Sequence, residues 1–507
     1  MNNTGPGAGA GLHEECGVFG IAGAQAPGSG AGQHSNGPGS GAGQPGSGAP
    51  PEQNADAAVC TFVGLFALQH RGQESCGIAV NDAGVISCRK GQGLLTDIFD
   101  EKNLQNLKGA SAIGHVRYGK ATASLAENTQ PIAVSHIKGN LAVAYNGSLV
   151  NAGALREEIE MAGGVFHGTS GSEIIAYLIV RERIGSDSIE EAVCKAMQRI
   201  RGAYSLVAMS PRKLIAARDP GGFRPLSIGT LDGGYIIASE TCAIDAVGGA
   251  YLRDVEPGEI VVIENGRLSS IDSGLPVNKS FCCFEFIYFS RPDSIVDGIG
   301  VDWARREIGK ALARETGVPA DIVVAVPDSG LSAARGYSEE SGLPNTMGLI
   351  KNRYIGRTFI KPTQAGRERD VRLKLNPLSA NVKGKRVIMV DDSIVRGTTS
   401  ARIVSELRNA GATEVHLRSS APPFRFPCYF GTDVPDQGAL IAVGRTEKEL
   451  AEIFGADSVG FLPHESLSRI LEGAGCPICK ACFTGEYPIK IPEAPDRDIF
   501  QKPIRML

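Results

Sequence analysis

Residues Val387 to Thr399 read Val-Ile-Met-Val-Asp-Asp-Ser-Ile-Val-Arg-Gly-Thr-Thr, and no other stretch limits the fold of this chain so tightly. Four apolar residues have the length and β-branching of a buried parallel strand. Beyond the turn, Ile403, Val404, Leu407 and Ala410 follow the spacing of an amphipathic helix, and Gly411 marks its end. The order strand, acidic turn, helix demands an α/β layer. At such a junction a 5′-phosphate can sit on the amides and hydroxyls of Gly397, Thr398 and Thr399 at the helix N-terminus, while Asp391 and Asp392 accept hydrogen bonds from vicinal ribose hydroxyls. An ordinary strand end with two solvated acids would not need the glycine and the paired threonines as well.

A chain of 507 residues is too long for one core, and 42% apolar residues is a globular composition, so two large domains are expected. A net charge of −4 supplies no field for nucleic acid or an anionic membrane. No apolar run is long enough to span a bilayer, and the Gly- and Ala-rich start lacks the basic and apolar regions of a secretory signal, which makes the cytoplasm the expected location. Twelve cysteines scattered through such a chain suit a reduced compartment. Cys60, Cys76, Cys88, Cys194 and Cys242 read as small buried hydrophobes. Cys476, Cys479 and Cys482 are different, because their repeated two-residue gaps let thiolates converge on one metal or cluster.

Residues 24–56 are dominated by Gly, Ala, Pro, Ser, Gln and Asn, a composition that buries too little apolar surface to order itself. This low-complexity insertion interrupts a domain, since a strand begins at Cys16 before it and a helix spans Thr61 to Leu68 after it. Short β-type runs then recur at Ile78 to Val80, Ala142 to Tyr145, Ser205 to Met209, Leu214 to Ala217, Tyr235 to Ala238 and Ile260 to Ile263, with helices near Ala154 to Ala162 and Ser172 to Arg183. The pattern is that of an α+β domain with much antiparallel sheet. Beyond about residue 276 helix and strand alternate, at Trp303 to Ala313, Ile322 to Val326, Ala333 to Ser341, the Val387 strand and Val415 to Arg418, which predicts a parallel doubly wound sheet. The expected division falls between residues 265 and 285.

A second apolar strand, Ile322 to Val326, feeds Pro327-Asp328-Ser329-Gly330, where backbone amides can hold a diphosphate and Ser329 can assist Mg2+. Between the two loops, Lys351 to Lys374 is rich in basic groups, as a lid closing on a polyanion would be. Near the chain start, His13-Glu-Glu-Cys16-Gly-Val-Phe-Gly20 sets a thiol before an apolar strand. Gln69-His-Arg-Gly-Gln-Glu-Ser75, Gly114-His-Val-Arg-Tyr118 and Tyr145-Asn146-Gly147 follow in order.

The Val387 segment resembles the 5-phosphoribosyl 1-diphosphate (PRPP) motif of type I phosphoribosyltransferases, and the N-terminal motifs resemble the class II glutamine amidotransferases. Over residues 12 to 490, the insertion apart, the chain resembles the amidophosphoribosyltransferase family. The resemblance implies a propeptide at 1–15, an N-terminal nucleophile (Ntn) hydrolase domain of four αββα layers at 16–275, and a phosphoribosyltransferase domain with a C-terminal iron-sulfur segment at 276–507. It implies that Cys16, once N-terminal, attacks glutamine with its own α-amino group as base. Arg117 would hold the substrate carboxylate. Asn146 and the Gly147 amide would form the oxyanion hole. PRPP would be held by Asp391, Asp392, Ser393, Arg396, Gly397, Thr398, Thr399, Lys351, Arg353 and Tyr354, with one Mg2+ per subunit at Ser329, Asp391 and Asp392. One 4Fe-4S cluster per subunit would fall on Cys282, Cys428, Cys479 and Cys482; zinc on Cys476, Cys479 and Cys482 is the alternative. The implied partners are glutamine, PRPP, inhibitory purine nucleotides and further copies of the chain, as a tetramer or dimer.

One position departs from the family pattern. Where an Asp would bind the glutamine ammonium group, the chain reads Ser170-Gly171-Ser172-Glu173, and Glu173 keeps its own place. Loss of such a contact costs about 1.5–3 kcal/mol, so an impaired glutaminase acting with free ammonia, or a regulator that has lost catalysis, are rival readings. On this reasoning Gly171→Asp would improve glutamine use about tenfold.

Overall fold

The alternation of apolar residues in Gly17–Ala22 fixes the architecture of the first half, because this strand is buried on both faces. Val18 and Ala22 point to a cluster shared with Ile113, Val207 and Leu214, while Phe19 and Ile21 point to one shared with Leu65 and Leu68. The computed structural model describes residues 16–23, 56–118, 126–352, 375–432, 434 and 437–492.

Gly17–Ala22 lies inside a seven-stranded antiparallel sheet in the spatial order Ala250–Asp254, Ser227–Leu231, Gly234–Ala238, Gly17–Ala22, Ser111–Arg117, Ser75–Asp82 and Val85–Gln92. A second antiparallel sheet runs Arg267–Asp272, Glu259–Glu264, Lys213–Arg218, Gly202–Met209, Gly139–Leu149 and Ile132–His136. The inward faces of the two sheets share one core. Helix Ala57–Ala67 covers the outer face of the first sheet, and helices Gly171–Ile184 and Ile189–Arg199 that of the second. This is the αββα sandwich of an Ntn hydrolase.

Asp56 belongs to the structure rather than to the insertion: its carboxylate caps the helix Ala57–Ala67 by accepting from the Ala58 amide at 3.0 Å. The remainder of the insertion, 24–55, lies outside the described residues, as does the segment 1–15. Cys60, Cys76 and Cys242 are buried and Cys194 is half-buried, but Cys88 is exposed on the edge strand Val85–Gln92, contrary to expectation. An edge strand of a sheet has no neighbour on one side, and this one carries mostly exposed residues.

In the second half, Ile322–Ala325, Arg386–Asp391, Glu414–Ser419 and Ser458–Phe461 form a parallel sheet in that order. Val323 and Ile388 pack toward helices Val301–Thr316 and Leu331–Ser341, whereas Val324, Val387 and Met389 pack toward helices Thr398–Asn409 and Glu447–Phe454. After helix Leu331–Ser341 the chain does not step to the adjacent strand. It returns on the far side of Ile322–Ala325, where Val323 donates to Pro344 O at 3.0 Å and accepts from the Thr346 amide at 2.8 Å. Only then does it cross to Arg386–Asp391. Connections therefore diverge between the C-terminal ends of these two strands, and such a switch point opens a crevice. The two polar loops singled out from the sequence are the ones that meet there.

Candidate functional site

At the crevice, Asp391 ends its strand and Asp392 begins the turn, both buried. Ser329 and Ser393 each donate a short hydrogen bond to the Asp392 carboxylate, which ties the Pro327 to Gly330 loop to the acidic turn. The Asp392 amide donates to Asp391 Oδ1 at 2.9 Å. Burial pushes both carboxyls above their ordinary range; Asp392 raises Asp391 further, while Ser329, Ser393 and Arg305 partly offset the shift at Asp392. Two buried acids sharing a turn favour a cation or hydroxyl donors between them.

Gly397 stands before the helix Thr398–Asn409 with φ of +76°, and a side chain there would meet the Phe454 ring at 2.5 Å. Only glycine lets the turn pass so close. Thr398 and Thr399 are exposed at the helix start, while Ser393 and Arg396 are half-buried beside them. Lys351 reaches the same crevice, its ammonium 2.7 Å from Asp328. Arg353 and Tyr354, with the rest of the basic segment to 374, lie outside the described residues.

The first-domain site is built at the end of the strand pair Gly17–Ala22 and Ser111–Arg117, where Gly17 lies opposite Val116. The half-buried Cys16 thiol approaches Tyr118 O at 3.8 Å. Arg117 Nη1 and Asn146 Nδ2 are buried donors without a hydrogen-bond partner. Buried donors are rarely left so, and a ligand carboxylate and an oxyanion are acceptors of the kind each lacks. Gly147 has φ of +143°, and a side chain there would sit 2.0 Å from Ala203 O. Beside it His115 is buried and driven down to about 3 by burial and then by Arg117, so it is a neutral packing residue.

The structure also gives the Gln69 to Gly72 motif its meaning. Arg71 Nε donates to Cys16 O at 3.1 Å, and its guanidinium meets Glu240 at 2.7 Å and Glu285 at 2.7 Å, all three carboxylate-bearing or guanidinium side chains being fully buried. A side chain at Gly72 would fall 2.6 Å from the Arg117 backbone, so glycine lets this turn press against the Arg117 strand. Glu285 lies on the short helix Glu285–Phe289 and also meets Arg224 at 3.4 Å; Arg224 Nη2 in turn donates to Phe430 O at 2.7 Å. The chain of contacts runs from the thiol-bearing residue to the neighbourhood of Cys428. Sequence reasoning missed Glu240, Arg224, Glu285 and Arg305, because charged residues so far apart in sequence show no periodic signal.

Cys282, Cys428, Cys479 and Cys482 line a single small cavity walled by Phe223, Phe284, Phe424 and Phe430. Strand Phe281–Cys282 pairs in parallel with Ile478–Cys479, which aligns two of the four. Burial pushes the Cys479 thiol up to about 12 and Cys482 higher than usual as well. Cys476 turns elsewhere, its thiol 3.8 Å from Asp297. Among the described residues no group of three or more His, Cys, Asp or Glu side chains is gathered tightly enough to hold one metal ion. The four cysteines around this aromatic-walled cavity are the side chains that could hold an inorganic cofactor.

Around Gly171 the loop is self-satisfied. Glu173 accepts from the His167 amide at 2.8 Å and the Gly168 amide at 2.9 Å, so it closes the helix entry and does not replace a missing Asp. A Cβ on Gly171 would lie 2.4 Å from the Tyr145 hydroxyl. An Asp side chain at this position would collide with that hydroxyl, so the tenfold gain anticipated from Gly171→Asp is not expected while Tyr145 stays in place.

Residues 118–246 match the family described as a glutamine amidotransferase domain, and residues 306–421 the phosphoribosyl transferase domain. Among curated proteins, the chain is 46% identical to the amidophosphoribosyltransferase of Bacillus subtilis over 95% of both chains. It is 48% identical to that of Archaeoglobus fulgidus, over 85% of this chain and 94% of the relative. Among solved structures it is similar to the glutamine PRPP amidotransferase from B. subtilis complexed with ADP and GMP, with TM-score 0.82, 45% identity and coverage of 94% of this chain and 98% of the other. A structure titled as the allosteric regulatory enzyme of purine biosynthesis superposes with TM-score 0.83 at 45% identity, covering 94% and 97%. With relatives this similar along nearly their whole length, the chain belongs to the amidophosphoribosyltransferase family.

Proposed function

We propose that the chain hydrolyses glutamine at Cys16 and passes the ammonia to PRPP at the Asp391–Asp392 crevice, yielding glutamate, 5-phosphoribosylamine and diphosphate, the first step of de novo purine synthesis. The observation that carries the glutamine half is the pair of orphaned buried donors, Arg117 Nη1 and Asn146 Nδ2, in the domain that presents the half-buried Cys16 thiol next to Tyr118. Freed from residues 1–15, the Cys16 amine takes the thiol proton as the sulfur attacks the amide carbon of glutamine. Asn146 Nδ2 and the Gly147 amide hold the developing oxyanion. Collapse expels ammonia and leaves a thioester, which water hydrolyses to glutamate.

In the second domain ammonia attacks C1 of PRPP and the diphosphate leaves with the bonding electrons. Asp391 and Asp392 orient the ribose through its hydroxyls, Thr398, Thr399 and the helix N-terminus hold the 5′-phosphate, and Lys351 and Ser329 face the diphosphate. Ser329, Asp391 and Asp392 fit Mg2+, which when bound neutralises diphosphate charge. The four cysteines of the aromatic cavity fit a 4Fe-4S cluster holding the C-terminal segment against residues 281–282.

The proposed division into a domain of residues 16–275 and one of 276–507 follows the change of sheet type between Asp272 and Ile322. Purine nucleotides as inhibitors, assembly into a homotetramer or homodimer and a cytoplasmic location are proposed from the family alone; among the described residues no helix is long and apolar enough to cross a membrane. Phosphoribosylamine formation from PRPP, measured with glutamine and separately with ammonium, tests the reading. Turnover with both donors supports it, turnover with ammonium alone limits it to the second domain, and turnover with neither overturns it.

A further inference from the structure

The volume in front of Gly171 is filled by a residue 26 positions earlier, and its identity bears on how glutamine is recognised. Tyr145 lies on the strand Gly139–Leu149 immediately before the Asn146–Gly147 pair, with its ring buried among Leu141, Val143, Leu149 and the helix Gly171–Ile184. Its hydroxyl oxygen occupies the point 2.4 Å from where a side chain on Gly171 would start, and the ring carbon bearing it lies at 3.2 Å. The polar groups near this point are otherwise engaged. Ser170 and Ser172 hydroxyls bond each other at 2.8 Å, Thr169 Oγ1 accepts from Asn128 at 2.8 Å, and Glu173 serves the amides of residues 167 and 168.

Burial raises the Tyr145 phenol, Cys16 adds to the rise and Arg117 opposes it, so the hydroxyl stays neutral and lies within electrostatic reach of the nucleophile and of the proposed carboxylate anchor. A neutral phenol oxygen keeps lone pairs for an ammonium donor. The amino acid end of glutamine carries a carboxylate and an ammonium on one carbon, so an ammonium acceptor must stand near the carboxylate anchor.

We propose that the Tyr145 hydroxyl accepts the α-ammonium group of glutamine in this chain, standing where a carboxylate on residue 171 would otherwise act. Gly171 is then the complement of Tyr145: a side chain at 171 and a hydroxyl on 145 exclude each other. The inference rests on the glutaminase reading above and makes Tyr145 a specificity-determining residue for its nitrogen donor.

The test compares glutamine with 4-carbamoylbutanoate, which is glutamine without its α-amino group, by steady-state kinetics of thioester formation and hydrolysis. Tyr145→Phe should raise the KM for glutamine by about tenfold, the effect of one hydrogen bond to a charged group, with little change in kcat. It should leave use of 4-carbamoylbutanoate unchanged, a selectivity that general damage to the pocket would not produce. Gly171→Asp alone should bring no gain, whereas Tyr145→Phe with Gly171→Asp, in which the nearest ring atom is the carbon at 3.2 Å, should recover glutamine use. Equal losses for both amides in Tyr145→Phe, or an unchanged glutamine KM, would overturn the inference while leaving the glutaminase intact. Wild-type protein active with ammonium but inert to glutamine would overturn the glutaminase reading and this inference with it.

Discussion

Replacing Glu285 by Gln probes the buried ionic cluster between the two halves of the chain. Glu285 accepts from Arg71 at 2.7 and 2.9 Å, from Ser290 Oγ at 2.8 Å and from Arg224 at 3.4 Å, and the two guanidinium side chains and the carboxylate have no solvent exposure. Glu240 balances Arg71 from the other side; burial alone would push its carboxyl up, but His70 and Arg71 outweigh burial and hold it well below the usual range. Neutralising Glu285 therefore leaves one buried positive charge in excess. Removal of one member of a buried ion pair costs about 3–5 kcal/mol, or roughly 100- to 10,000-fold in the folded-to-unfolded ratio.

Function should suffer unequally. Arg71 Nε also holds the Cys16 carbonyl, so release of the guanidinium should disturb the nucleophile before it disturbs the PRPP crevice. Urea unfolding followed by circular dichroism, alongside turnover with glutamine and with ammonium, reads both effects. The control is Glu339→Gln, whose salt bridge to Arg306 is about one-third exposed and should contribute at most about 1 kcal/mol. A Glu285→Gln protein no less stable than this control, or one that loses ammonium-dependent turnover first, would refute the cluster as the tie between the domains.

Cys16→Ala should abolish synthesis from glutamine and spare synthesis from ammonium, and N-terminal sequencing of active enzyme should find Cys16 as the first residue. Asp391→Asn with Asp392→Asn should lose both activities along with PRPP affinity measured by calorimetry, since both routes use one bound PRPP. Because both acids are raised in the folded protein, the stability they contribute is present below the ordinary carboxylate range and is lost as pH rises through their folded values. Binding of Mg2+ and PRPP should then release protons at pH values between the ordinary carboxylate range and the raised folded values, detected as a dependence of the binding heat on buffer ionisation enthalpy that vanishes in the double variant. Protein prepared without oxygen should contain four iron and four sulfide per chain (about one cubane); Cys428→Ser should lose them, and zinc in their place would count against the cluster.

Elements whose apolar pattern is set by the core were legible in the sequence. The predicted strand at Ile260 to Ile263 is Glu259–Glu264, and the predicted helix at Ser172 to Arg183 is Gly171–Ile184. Arg267–Asp272 and Val85–Gln92 escaped notice because edge strands with mostly exposed residues need no apolar alternation. Helix Ile189–Arg199 was missed despite a readable start, with Ser188 accepting from the Glu191 amide at 3.2 Å. At the phosphosugar crevice, local order sufficed: each loop follows its own strand, and the doubly wound topology brings the two together.

The ionic cluster behind Cys16 differs because its contacts join residues remote in sequence. Arg71 and Glu285 are separated by 214 positions and Arg224 and Phe430 by 206, so motif spacing carries no trace of them. Gly171 shows the consequence. Read as one position in a motif, it is a deleted carboxylate and a defect to be repaired. Read in three dimensions, it is half of a pair, since the space a side chain would need is the space the Tyr145 hydroxyl occupies. A substitution that removes a functional group is therefore interpretable only together with whatever the fold has moved into the vacated volume, and close packing makes an empty volume in such a pocket the exception.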